Sequence, residues 1–229
     1  MANGTVEFQS NGRTAQGYLS VPESGRGPGV IVLQEWWGLN AQIKSVADRF
    51  AAAGFVALAP DLYHGESAEG APDKAGKLMM ELNIAETERD LRGAVQYLLR
   101  DDRVTSPKVG TIGFCMGGML SLYAATQNPQ IGACVVFYGI HPKVNPDLEK
   151  LQAPVLGFYA EKDASVPPSA ARELQSKLKE LGKSVEIYIY ENTDHAFFNE
   201  ERPEVYDAEA AADTWRRTLD FFRQHLTEK

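Results

Sequence analysis

The 229-residue sequence predicts an α/β fold, a mainly parallel sheet of about eight strands covered on both faces by helices. Three observations carry this. Short apolar runs alternate with stretches of helical periodicity along the chain. Residues 29–33 form an unbroken apolar run ending at Gln34, as in a strand buried on both faces. The stretch 109–118, Val-Gly-Thr-Ile-Gly-Phe-Cys-Met-Gly-Gly, reads as an apolar strand, a tight turn and a helix start.

The elements follow in order. Residues 5–9 and 14–20 alternate in polarity around Asn11-Gly12, a two-residue hairpin turn signal. A Gly/Pro loop leads to the strand ending at Gln34. Residues 41–53 have helical periodicity, with Ile43, Val46, Ala47 and Phe50 on one face, and Gly54 ends them. A strand at 55–59 is closed by Pro60. Residues 62–84 are a long polar connection with one short helix, a length typical of functional loops. An amphipathic helix is predicted over 86–99 and the strand–turn–helix unit over 108–127. Strands follow at 132–138, 154–159 and 184–190, with helices near 168–181 and 207–226. No long insertion interrupts this order, so a single domain over 1–229 without a separate cap is expected.

Composition narrows the class. The 44% hydrophobic and 24% charged content is that of a water-soluble globular domain. The formal charge of −8 disfavours nucleic acid and anionic membrane as partners. The opening Met-Ala-Asn-Gly-Thr-Val-Glu-Phe has no apolar core, and no run approaches the ~18 apolar residues of a membrane span. A cytoplasmic protein is therefore expected, in which Cys115 and Cys134 form no disulfide. Cys134, inside an apolar run, reads as a buried structural thiol. Monomer and homodimer both remain open.

Gly113-Phe-Cys115-Met-Gly117 is the nucleophile-elbow pattern G-x-S-x-G with a thiol for the hydroxyl. Flanking glycines are needed because the turn brings backbone too close for side chains, and the tip then stands at a helix N-terminus. An elbow nucleophile needs a base, and the base an orienting acid; in α/β-hydrolases these follow in the order acid, histidine. Asp163 comes just after the strand at 154–159, and His195 just after that at 184–190. Both are strand C-terminal ends, where parallel sheets place their crevices. Asp194 is adjacent to His195 and poorly placed to face its ring. Of the other histidines, His141 follows Tyr138 most closely, while His64 and His225 lie in a polar loop and on the last helix. The oxyanion donors are assigned to the backbone N–H groups of Trp36 and Met116. Glu35, beside the first of these, is a carboxylate unexpected in a plain oxyanion loop; near a thiol it would raise the thiol pKa or compete with His195 for the proton. Trp37, Tyr138 and Ala196 are the weaker candidates for substrate contact. No C-x-x-C or H-E-x-x-H spacing suggests a metal, and no cofactor is implied.

Gln34-Glu-Trp-Trp-Gly-Leu39, Ala59-Pro-Asp-Leu-Tyr63, Gly113-Phe-Cys-Met-Gly-Gly118, Tyr138-Gly139, Glu161-Lys-Asp163 and His195-Ala-Phe-Phe-Asn199 together resemble the dienelactone hydrolase family, a branch of the α/β-hydrolases. The resemblance runs from Gly17 to the final helix. It implies an α/β-hydrolase fold and a cofactor-independent carboxylic ester hydrolase of the carboxymethylenebutenolidase type. It also implies Cys115 as nucleophile, His195 as base and acid, Asp163 as orienter, and Glu35 as a switch that holds the resting thiol and takes its proton when substrate arrives. Members hold the carboxylate of an enol lactone with arginines, one of them four residues after the histidine. Here that position is Asn199, the nearest arginine is Arg202, and 62–84 offers only Lys74 and Lys77.

The thiol limits the chemistry independently. A thiolate leaves more readily than an alkoxide or an amide nitrogen, so a tetrahedral adduct on Cys115 collapses forward only when the substrate's own leaving group is good. Enol lactones and activated esters qualify; peptides do not. The expected partner is therefore a small-molecule lactone or ester. A carboxylesterase or thioesterase on an unrelated substrate, and a non-catalytic thiol sensor or binding protein, stand as the alternatives.

Overall fold

The computed structural model describes residues 3–10 and 12–226. Asn11 lies outside them, so of the predicted hairpin turn only Gly12, at φ 90°, is described. The strands on either side, β1 (Gly4–Ser10) and β2 (Arg13–Ser20), pair antiparallel with Ser10 opposite Arg13. The remaining strands are β3 (Gly29–Leu33), β4 (Val56–Pro60), β5 (Val109–Phe114), β6 (Ile131–Phe137), β7 (Val155–Ala160) and β8 (Val185–Tyr190). They form one sheet in the order β1-β2-β4-β3-β5-β6-β7-β8, parallel from β4 to β8.

Helices α1 (Ala41–Ala52) and α6 (Ala208–His225) cover one face, where Ile43, Val46 and Phe50 meet Phe222. Helices α3 (Ile84–Arg100), α4 (Met116–Gln127) and α5 (Pro168–Glu180) cover the other, through Leu91, Leu98, Leu120 and Leu178. A sheet apolar on both sides requires this arrangement, and β3 to β5 are buried throughout. The fold is that of the α/β-hydrolases.

The connection 62–84 holds a ten-residue helix, α2 (Pro72–Glu81), opened by Pro72 at a position where a missing N–H costs nothing. The next helix starts at Ile84 rather than 86, because the Asn83 side chain accepts the Glu86 N–H and caps it there. β6 stops at Phe137, and Tyr138 leaves the strand at φ 38°.

The chain builds β3 and β4 on one side and then crosses to β5 on the other. The resulting switch point lies between β3 and β5, where such sheets open a crevice at their C-terminal ends.

Candidate active site

β5 ends at Phe114 and α4 begins at Met116, so Cys115 alone turns strand into helix. Its φ of 53° with ψ of −117° is a conformation that non-glycine residues rarely adopt. A Cβ on Gly113 would lie 1.9 Å from the Gly117 carbonyl oxygen, and one on Gly117 2.4 Å from that of Gln34. The two glycines are therefore steric necessities of the turn. Cys115 caps α4, where the helix dipole favours negative charge, and it lines a cavity of about 160 Å³.

Asp163 and His195 stand in loops just past β7 and β8. Asp163 Oδ1 accepts the N–H groups of Ser165 and Val166, each at 2.8 Å. Its Oδ2 lies 2.6 Å from His195 Nδ1. Burial works against a charge on His195. Its hydrogen bonds to Asp163 and Cys115, with the charges of both, outweigh burial and push the imidazole up to about 10. The Tyr138 ring backs the imidazole at 4.9 Å between centroids. Asp194 is exposed.

Leu33 of β3 pairs with Gly113 of β5, so the chain leaving β3 runs past the elbow. Among the described residues, neither the Trp36 N–H nor the Met116 N–H has an acceptor. Glu35 is 3% exposed, and its Oε2 accepts the Asn199 side-chain amide at 2.9 Å. Its Oε1 has no partner among the described residues. Burial raises the carboxyl above the usual range, opposed by the Asn199 bond and the positive charges of His195 and Arg202. The resemblance implies a resting thiol held by this glutamate. Here no Glu35–Cys115 hydrogen bond is present among the described residues, and the carboxyl is held instead through Oε2 by the Asn199 amide.

Cys115, His195, Glu35, Trp36, Trp37 and Ala196 all line the cavity. Trp36 and Trp37 meet edge to face at 5.0 Å, and Ala196 turns the chain at φ 66°. Tyr138 departs from expectation. It is fully buried and off the cavity wall, because its left-handed backbone turns the ring inward beneath His195. Sequence reasoning missed Met79 and Ile140 on the wall, for which no local signal exists. Arg202 is also there, paired with Glu204 at 2.8 Å. The one available clue to Asn199 was its place four residues after His195.

The other candidates lie elsewhere. His141 is buried off the wall, its Nδ1 accepting the Lys143 N–H. His64 Nε2 is 3.3 Å from Asp90. The ring of His225 packs on Phe221. Cys134 is free and buried, and burial pushes its thiol up to about 11. Among the described residues no group of three His, Cys, Asp or Glu could hold a metal ion, and no helix is long and apolar enough to cross a membrane.

The dienelactone hydrolase family model matches residues 15–226. The chain belongs to the dienelactone hydrolase family. It is accordingly a hydrolase of the dienelactone hydrolase type. Relatives agree along the whole length. It is 42% identical to "Protein usf" of Aquifex pyrophilus, over 97% of this chain and 98% of that one. It is 37% identical to the "Putative carboxymethylenebutenolidase" of Aquifex aeolicus, over 96% and 98%. A crystal structure described as a "Putative Dienelactone Hydrolase" from Klebsiella pneumoniae superposes with a TM-score of 0.87 at 31% identity, covering 98% of this chain and 100% of that one. In this dienelactone hydrolase family member, the arginine implied four residues after the histidine is replaced by an amide whose partner is the cavity's own acid.

Proposed function

We propose that this protein hydrolyses small enol lactones and activated esters through a thioester on Cys115. The observation that carries the reading is the shared cavity. A thiol on a strained elbow and an imidazole bonded to a buried carboxylate both line it.

In the first half-reaction the Cys115 proton passes to His195, whose raised proton affinity favours the thiolate–imidazolium pair, and the thiolate Sγ then attacks the carbonyl carbon. Asp163 fixes the ring so that Nε2 faces the thiol and stabilises the imidazolium. The oxyanion takes the free N–H groups of Trp36 and Met116. Collapse breaks the carbonyl-carbon–oxygen bond, and the leaving enolate or phenolate takes the proton back from His195. His195 then removes a proton from water, the hydroxide attacks the thioester, and Cys115 leaves as the acid is released. Glu35 is the second proton acceptor. Burial raises its proton affinity, and rotation away from Asn199 would bring it to the thiol.

The cavity sets the substrate size. A pocket of about 150 Å³ holds one benzene-sized ring, which suits a single butenolide ring and excludes long acyl chains. Its walls are mostly apolar, with Arg202 the nearest cation. Arg202 is then the group to meet a substrate carboxylate. With Asn199 neutral where the resemblance implies an arginine, uncharged esters are a second substrate class.

The test is a panel of 4-nitrophenyl acetate, carboxymethylenebutenolide, its methyl ester and 4-nitroacetanilide. Wild type should turn over the first three, form an acyl adduct on Cys115 visible by mass spectrometry, and leave the anilide nearly untouched. Cys115→Ala should be inactive. Anilide hydrolysis at the aryl-ester rate, or an active Cys115→Ala, sinks the reading.

A further inference from the structure

Tyr63 closes the Ala59-Pro-Asp-Leu-Tyr63 stretch, to which the reaction above gives no part. It lies after β4 and is 6% exposed. Its hydroxyl donates to the Trp36 carbonyl at 3.1 Å and lies 3.3 Å from Met116 Sδ. One hydroxyl thus touches both residues whose N–H groups serve as oxyanion donors. We propose that Tyr63 is a positioning residue for the oxyanion hole, clamping the loop after β3 to the elbow after β5. The role rests on the reading of Cys115 as nucleophile given above.

The geometry explains why a clamp is needed. The elbow is held by β5 and α4, but the other donor sits on an irregular segment, Glu35–Gly38. Each trans peptide is planar, so the direction of the Trp36 N–H is fixed by the plane it shares with the Glu35 carbonyl. That plane is held by the Gly38 N–H, a long bond of 3.3 Å. The next plane, carrying the Trp36 carbonyl, is held by Tyr63. The one after, carrying the Trp37 carbonyl, is held by the Ala68 N–H at 2.9 Å. Without the Tyr63 hydroxyl, the middle plane has no hydrogen bond to its carbonyl among the described residues and can rotate, taking the Trp36 N–H out of line. Misplacement of an oxyanion donor by a fraction of an ångström is costly, because its bond to the transition state depends on distance and angle.

Tyr63 is itself rigidly placed. Asp61 accepts the N–H groups of Tyr63 at 3.0 Å and Gly65 at 2.7 Å, forming a side-chain-mediated turn. His64 takes a left-handed backbone, φ 52°, which sends its own ring outward to Asp90, a buried carboxylate on α3. Leu62 N–H donates to the Gln34 side chain at 3.1 Å. The turn after β4 is thereby tied to β3 on one side and to α3 on the other, with the phenol between them. Burial, with a smaller contribution from Cys115, raises the phenol well above its usual range, so it stays a donor.

The test compares Tyr63→Phe, which removes only the hydroxyl, with wild type, using two reagents. Iodoacetamide alkylates a thiol without forming an oxyanion; 4-nitrophenyl acetate acylates it through one. The expected result is an acylation rate at least tenfold lower, KM within twofold, and iodoacetamide alkylation unchanged. Inhibition by propionaldehyde, whose thiol adduct carries the same oxyanion, should weaken by a similar factor. Equal acylation by the variant and wild type overturns the role, as does a parallel fall in acylation and alkylation, which would mean a general loss of structure. A wild type that alkylates but never acylates overturns the proposed function together with this role.

Discussion

The Asn199 side-chain amide donates to Glu35 Oε2 at 2.9 Å, and this bond engages one oxygen of the one buried carboxyl that lines the cavity among the described residues. Glu35 is thereby stabilised in one orientation while its second oxygen stays unpaired.

Replacing Asn199 by Leu should therefore destabilise the fold. Losing the partner of a buried charged group costs about 1–3 kcal/mol. The sign with pH follows from Glu35. Burial raises its folded-state proton affinity, so ionised Glu35 opposes folding and protonation relieves it. The deficit of Asn199→Leu should be larger at pH 8 than at pH 5, as read from urea midpoints. A deficit that grows on acidification contradicts the assignment.

Arg202 should govern discrimination between charged and uncharged lactones. Its pairing with Glu204 is a surface one, worth roughly 0–1 kcal/mol, so a substrate carboxylate can compete for the guanidinium. Arg202→Gln should lower kcat/KM for carboxymethylenebutenolide by about tenfold, the equivalent of ~1.4 kcal/mol, and leave the methyl ester within about twofold. The ratio of the two rates measures this, and an unchanged ratio assigns the carboxylate elsewhere.

The His195–Asp163 pair should appear in the pH dependence of stability. His195 is raised from 6.5 in the unfolded chain to about 10 in the fold. Its contribution is thus fully present below pH 6.5 and lost as pH rises through about 10. Melting temperatures of wild type should fall over that interval more steeply than those of His195→Gln. Asp163→Asn should lower the acylation rate by up to about 10⁴-fold, the drop seen when the orienting acid of such a triad is replaced by its amide. Parallel melting curves for wild type and His195→Gln would remove His195 from this account.

The elbow glycines should tolerate no side chain. The Cβ of Gly113→Ala would meet backbone at 1.9 Å, where no rotamer offers relief. A cost of about 3 kcal/mol or more is expected, at the upper end of overpacking effects. Gly12→Ala is the control. Among the described residues it has nothing within 4 Å of the added carbon and only its φ of 90° to strain it, so its loss should be smaller. Chemical denaturation of both variants gives the comparison.

The features legible in the sequence are those encoded locally or by order along the chain. The elbow needs Gly113, Cys115 and Gly117 within five consecutive residues, and Asp163 and His195 each follow a recognisable strand. Periodicity found the helices on both faces but misplaced the start of α3, because the cap at Asn83 outweighs the apolar pattern that begins later. Tyr138 follows a strand at the right end of the sheet, where a wall residue and a core residue read alike. The backbone sign that turns it under His195 is not written in residue type.

The sequence by itself determined the α/β architecture, the position of the elbow and the order along the chain of the proposed nucleophile, acid and histidine, since strand, turn and helix signals act over a few residues. Only the tertiary structure decided who meets whom at the cavity. Asn199 and Glu35 are 164 positions apart, and Tyr63 and Met116 are 53 apart. Such pairs form because a parallel sheet gathers the C-terminal ends of its strands at one edge, whatever their separation along the chain. The direction in which each side chain then points depends on local φ and on the hydrogen-bond partners within reach.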